Sequence, residues 1–175
     1  MNEKGFTLIE ILVISFIVGF LSVAILFNYR NGQDQASLSR AAAAFESDIR
    51  KTQNLAVNSA DFGGIVPCGY GLYYIDNKTY RIYVGQKVGM QSCQSLNHNY
   101  QNGTDSVYQE LIIVGPEVVF KNSFSDVFFE PPDPATYINN NKSVGVSVMI
   151  QLCLEKDLNI CRNVTIDTAG RISIQ

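Results

Sequence analysis

Lys4-Gly5-Phe6-Thr7-Leu8-Ile9-Glu10 is the stretch that decides how the rest of the chain is read. A charged leader ends in glycine, and an apolar run starts at Phe6 and is interrupted by one carboxylate, Glu10. An acidic residue at mid-bilayer costs about 2.5–3.5 kcal/mol on insertion scales, so carboxylates in such places tend to be functional and to have a partner. From Phe6 to Phe27 the other polar side chains are Thr7, Ser15 and Ser22, whose hydroxyls a helix hides easily. As a helix this run is about 33 Å long, enough to cross a hydrocarbon core of about 30 Å. Residues 6–27 are therefore expected to form a transmembrane helix. An ordinary secretory signal cut after Ser22-Val23-Ala24 is the competing reading. Glu3 beside Lys4 in the leader, and apolar residues that continue through Phe27, argue against it.

Beyond the apolar run the helix is expected to continue. Residues 28–59 contain no proline and one glycine, Gly32. Leu38, Ala42, Phe45, Ile49, Thr52 and Ala56 recur at spacings of three and four and make one mostly apolar stripe. Arg40, Glu46, Asp48, Arg50 and Lys51 fall largely on other faces, and Ala41 to Ala44 is a strong helix-forming block. Asp61-Phe62-Gly63-Gly64 then breaks the helix, and glycine, proline, tyrosine and β-branched residues take over. Asp76-Asn77-Lys78 separates the strand candidates Gly71–Ile75 and Thr79–Val84, which predicts a hairpin. Further strands are expected at Leu111–Val114, Glu117–Phe120, Asp126–Phe129 and Val144–Leu154. Asn163–Asp167 and Arg171–Ile174 flank Thr168-Ala169-Gly170, a second hairpin signal. Gln91–Ser106 and Pro131–Ser143 are expected to be polar, exposed loops. The fold class is thus α+β: a long N-terminal helix, its first half transmembrane, packed on a C-terminal antiparallel β-sheet domain. The expected divisions are a charged leader at 1–5, the transmembrane helix at 6–27, its amphipathic continuation at 28–60, and a β-rich globular domain at 61–175.

The N-terminal stretch resembles the type III signal of type IV pilins and pseudopilins, the G/FTLIE motif recognised by prepilin peptidase. The resemblance implies cleavage between Gly5 and Phe6 and N-methylation of the new α-amino group on Phe6. Glu10 would then lie about 6 Å up the same helix, and in an assembled filament it would meet the N-terminal amine of a neighbouring subunit. Buried together, the two charges satisfy each other, whereas either alone would be strongly penalised. The orientation with the leader in the cytoplasm and the globular domain outside the inner membrane follows from the same resemblance. Many type IV pilins carry a helix-breaking proline late in this segment; Phe27 occupies that place here.

Leu55-Ala56-Val57, Phe129-Glu130-Pro131 and Thr168-Ala169-Gly170-Arg171-Ile172 are similar to the H-type minor pseudopilins of type II secretion and related minor type IV pilins. That branch usually shows a glycine two residues after the proline, where this chain has Asp133.

Four cysteines, Cys68, Cys93, Cys153 and Cys161, all lie outside the apolar segment. An even number in an extracytoplasmic domain suggests disulfides. Cys153 and Cys161 sit at facing ends of adjacent strand candidates, and Cys68 with Cys93 would then enclose the first hairpin. Four cysteines permit three patterns, and the sequence does not choose among them. With no Cys-x-x-Cys and a single histidine, His98, the ligand sets of a structural zinc site are missing. His98 stands in the polar run Ser-Leu-Asn-His-Asn-Tyr and is read as a solvated loop residue, and Asp126 and Glu130 as surface charges. No Gly-x-Ser-x-Gly, phosphate loop or His-Glu-x-x-His occurs, so neither enzyme activity nor a cofactor is expected. A formal net charge of −3 gives no basic field for nucleic acid. The expected partners are other pilin-like subunits, prepilin peptidase, the inner membrane and exported cargo. The alternative roles are a major pilin, or a DNA-uptake or adhesion receptor that binds its ligand through exposed loops.

Overall fold

A single helix, α1, runs from Leu8 to Val57. The computed structural model describes residues 7–86, 92–131 and 135–175, without the side chains of 24–31 and of Gln94. The chain divides into two compact units, one up to Ala36 and one spanning Ser37–Gln175. In the first unit the helical side chains at 8–23 are all exposed. Among the described residues no helix is long and apolar enough to cross a membrane. The expected span to Phe27 runs into side chains outside the described set.

In the second unit the helix packs as its spacing requires. Leu38, Ala42, Ile49, Thr52 and Ala56 are fully buried, and Phe45 almost so. The helix ends where the sequence stops supporting it. Ser59 takes a left-handed conformation, and the Asp61 carboxylate accepts the Gly64 N–H across the following turn. Gly63 and Gly64 both have positive φ, which glycine adopts without steric cost.

Among the described residues, nine strands follow in two antiparallel sheets. The first has the order β3-β2-β1-β5-β6, built from β1 Gly69–Tyr74, β2 Thr79–Gly85, β3 Ser106–Ile112, β5 Val127–Glu130 and β6 Ala135–Ile138. The second has the order β4-β7-β8-β9, from β4 Val118–Phe120, β7 Ser147–Leu154, β8 Asp157–Asp167 and β9 Ile172–Ile174. Both expected hairpins form: β1 pairs with β2 and β8 with β9. The α1 stripe shares one core with Tyr70, Leu72 and Ile82 of the first sheet and with Ile150, Leu152, Val164 and Ile166 of the second. Phe45 is its hub, edge-on to Tyr80 at 5.0 Å and to Phe120 at 5.4 Å between ring centroids.

Three expectations about the β region need correction. The strand expected at Leu111–Val114 begins earlier, at Ser106, because β3 is an edge strand that takes its register from β2 and alternates too weakly to stand out. The expected loop Pro131–Ser143 contains β6, whose Thr136, Tyr137 and Ile138 are buried. Four residues between prolines and asparagines carry little strand signal of their own, and pairing with β5 supplies it. β8 is eleven residues long rather than the expected five, because pairing with β7 extends it back to the Glu155-Lys156 turn.

Candidate functional site

Gly5 and Phe6, the expected cleavage and methylation positions, lie outside the described residues. The structure begins at Thr7, and there Glu10 already has a partner. Its carboxylate accepts the Thr7 backbone N–H at 2.8 Å and the Thr7 hydroxyl at 2.7 Å. The Thr7 hydroxyl oxygen in turn accepts the Glu10 N–H at 3.4 Å. This is a reciprocal capping box, which satisfies two of the helix's otherwise orphaned donors. The residues that read as a processing motif therefore also form a helix start. Ile9, Val13 and Ile14 wall an open recess beside Glu10 of about 220 Å³. Leu8, Phe16 and Phe20 are 83, 73 and 70% exposed, so the helix offers apolar surface on every side. Ser15 and Ser22 turn their hydroxyls onto the carbonyls of Ile11 and Val18, so both hydroxyls are satisfied within the helix.

The second cluster of chemistry lies on the outer face of the first sheet. Cys68 and Cys93 are at disulfide distance, S–S 2.10 Å, and so are Cys153 and Cys161 at 1.99 Å. Of the three patterns open to the sequence, the structure holds this one. Cys153 and Cys161 are direct cross-strand partners on β7 and β8. Cys68 and Cys93 anchor the segment 92–105 over a small core of Tyr83, Leu96, Phe128 and Tyr137.

That segment corrects the reading of it as an exposed loop, as far as it is described; Gln91 lies outside the described residues. His98 is not solvated but 3% exposed. Its ring stacks on Tyr137 at 3.6 Å with an 8° interplanar angle, and it meets the Phe128 ring at 5.1 Å. Its carbonyl accepts the Tyr83 hydroxyl. Asn140 Oδ1 receives both the His98 backbone N–H, at 3.1 Å, and its Nδ1, at 2.8 Å. The other ring nitrogen, Nε2, has no hydrogen-bond partner among the described residues and stands 3.8 Å from Glu130 Oε2. Glu130 also accepts the Tyr137 hydroxyl at 2.8 Å.

Asp126 and Glu130 are accordingly not surface charges, since both are half-buried. Asp126 accepts the Tyr100 N–H at 2.7 Å, and Asp105 the Gln101 N–H at 2.8 Å. Burial pushes the Asp126 carboxyl up to about 6, against the pull of Tyr100 and with help from the Asp105 charge. Burial also raises Asp105, Tyr137 and, most of all, Tyr83. On the outer rim Arg81 faces the Tyr73 and Tyr100 rings at 5.9 and 5.2 Å and pairs with Glu110 at 3.2 Å.

Sequence reasoning missed this cluster because the contacts that fix His98 and Tyr100 over the sheet are long-range. The one available signal was apolar Leu96 and aromatic Tyr100 inside an otherwise polar run. The His98 imidazole is enclosed, 3% exposed. Among the described residues no group of three or more His, Cys, Asp or Glu side chains is placed to hold a metal ion.

Residues 1–26 match the family described as the prokaryotic N-terminal methylation motif. That match supports a type IV pilin-like subunit, whose relatives are structural filament components processed by prepilin peptidase. No curated protein and no solved structure matches the chain.

Proposed function

We propose that the chain is a minor pseudopilin or minor type IV pilin, made as a single-pass inner-membrane precursor and assembled into a heteromeric filament after processing. Prepilin peptidase would cut between Gly5 and Phe6, releasing the 1–5 leader, and Phe6 would be N-methylated. The observation that carries this reading is the helix of residues 8–23, whose apolar side chains are exposed all round and interrupted by one carboxylate. A helix apolar on every face is stable in lipid or among similar helices and not in water. The methylation motif over the same residues supports both surroundings in succession, lipid first and the filament core afterwards. In lipid there is no hydrophobic drive for helices to associate, so packing and polar partners must favour assembly.

Glu10 supplies such a partner. In the monomer its charge is held by Thr7 of the same helix. In the filament a neighbour's free N-terminal amine would offer an opposite charge in a low-dielectric setting, a stronger interaction than a neutral donor provides. The β-rich unit would face the periplasm or the cell exterior, an oxidising setting that fits two disulfides. There it would help initiate assembly or contact exported cargo.

The test is quantitative mass spectrometry of sheared filaments and of membranes from the native host. A mature peptide starting at methylated Phe6, at a small fraction of the principal subunit, is the expected result. A dominant signal would make the chain a major subunit, and an intact Met1 terminus in cells with active peptidase would overturn the reading.

A further inference from the structure

We propose that His98 is a proton-gated latch that fastens the 92–105 segment to the outer face of the first sheet, with Glu130 as its built acceptor. The hydrogen-bond geometry identifies the tautomer. Asn140 Oδ1 accepts the His98 backbone N–H, so that atom is the carbonyl oxygen of the amide. The imidazole atom that also meets it, Nδ1, must therefore carry a proton. In the neutral ring this leaves Nε2 with a bare lone pair, buried and aimed toward a carboxylate oxygen 3.8 Å away. A buried acceptor facing another acceptor is unsatisfied. Adding one proton turns Nε2 into a donor toward Glu130, and the same geometry becomes a charge-assisted pair. The stack on Tyr137 keeps the ring in place in both states.

The neighbouring tyrosines do not reproduce this response. Tyr137 on β6 donates to Glu130 and, with its hydroxyl raised by burial, stays protonated throughout. Tyr83 on β2 stays protonated for the same reason. Lys142 stands 5.3 Å from the Tyr137 ring. Asp126 and Asp105 hold the neighbouring N–H groups of Tyr100 and Gln101. Asp126, pushed up to about 6, titrates in an overlapping range, and its ionisation also disfavours the closed segment. It must therefore be separated from His98 by experiment.

Opening the latch would uncover an aromatic surface. Leu96 and His98 cover Tyr83, Phe128 and Tyr137, while Tyr100 closes over Tyr73 at 4.6 Å. The Cys68–Cys93 link tethers one end of the described segment and β3, from Ser106, the other, so its middle is held by the polar contacts of His98, Asn99 and Tyr100.

The test is amide hydrogen exchange on the full chain in detergent, without a histidine tag, corrected for intrinsic exchange. From about pH 5.5 to about pH 8, the range in which imidazoles titrate, opening of amides 97–101 should increase roughly tenfold. The β7–β8 hairpin should not change. His98→Gln should flatten the part of this response that persists in Asp126→Asn, and Glu130→Gln should reduce it while leaving the fold intact. An identical pH response in wild type and His98→Gln would overturn the proposal, as would loss of the whole response in Asp126→Asn. His98 is the chain's one histidine, so a nitrogen-15 titration reads its tautomer directly. A proton on Nδ1 at alkaline pH is expected, and a proton on Nε2 instead would also overturn it.

Discussion

Replacing Asp126 with asparagine isolates a carboxylate that the fold holds against its preference for water. Asp126 begins with an ordinary value of 3.8 and is raised to about 6, chiefly by burial. A carboxyl raised on folding binds its proton more tightly in the folded chain. It therefore costs no stability at acidic pH, and stability is lost as pH rises from about 4 through about 6. A shift of two units is worth about 3 kcal/mol as a ceiling. The group is partly open to solvent, so screening lowers the expected effect to about 1–2 kcal/mol. Asparagine keeps a carbonyl oxygen for the Tyr100 N–H, now 2.7 Å from the carboxylate, and brings no charge. Asp126→Asn should accordingly be more stable than wild type by about 1–2 kcal/mol near pH 8, and equal to it near pH 4. Urea unfolding in detergent, followed by tyrosine fluorescence, reads this well because the chain has nine tyrosines and no tryptophan. If Asp126→Asn is less stable at pH 8, the charged bond to Tyr100 outweighs desolvation, and the account of the site is wrong.

Other perturbations read other layers of the molecule. Replacing Cys68 and Cys93 with serine frees a loop spanning 25 residues and should cost about 3 kcal/mol in urea unfolding, whereas the Cys153–Cys161 pair, spanning 8, should cost about 2. The opposite order would show that the short cross-strand link does more than restrict the unfolded chain. In Gly71→Ala, the added methyl would stand 2.4 Å from a Tyr83 ring carbon. Since that ring is buried, about 1–3 kcal/mol should be lost, and an unchanged melting temperature would show that Tyr83 moves freely. Glu10→Ala removes the capping box, at about 1 kcal/mol of helix stability, and should leave membrane insertion intact while impairing incorporation into filaments. Normal incorporation would sink the assembly role of the carboxylate.

How legible each part was depended on the range of the interactions behind it. The α1 stripe could be read because helical periodicity is local, and each of its six residues is buried where the spacing put it. The hairpins around Asp76-Asn77-Lys78 and Thr168-Ala169-Gly170 were legible for the same reason. The Asp76 carboxylate caps the first turn by accepting the N–H groups of Lys78 and Thr79. Asp167 does the same for the second through Ala169 and Arg171. Edge strands β3 and β6 were displaced or missed because neither has a pattern that survives without its partner strand. Where a polar stretch was taken as solvated, the error had a single cause. Asn97, His98 and Asn99 look like loop residues, but Asn139 and Asn140, some forty positions away, hold two of them by side-chain bonds.

This difference in range also bears on how the two chemical regions work. On the proposed reading, the processing and assembly motif would be recognised by a peptidase that meets a helix in a membrane. Its information has to be contiguous, and the capping box shows it to be so, since Thr7 and Glu10 satisfy each other within one helical turn. The His98 cluster has the opposite constraint. Its neutral Nε2 is tolerable only while Tyr137, Phe128 and Asn140 converge on the ring from separate elements. A polar group held at such a cost needs the whole fold as support, and it responds when that fold or its protonation changes. A contiguous motif can therefore support a pilin-like reading from a few residues, whereas the chemistry of the outer face is encoded only in the folded unit.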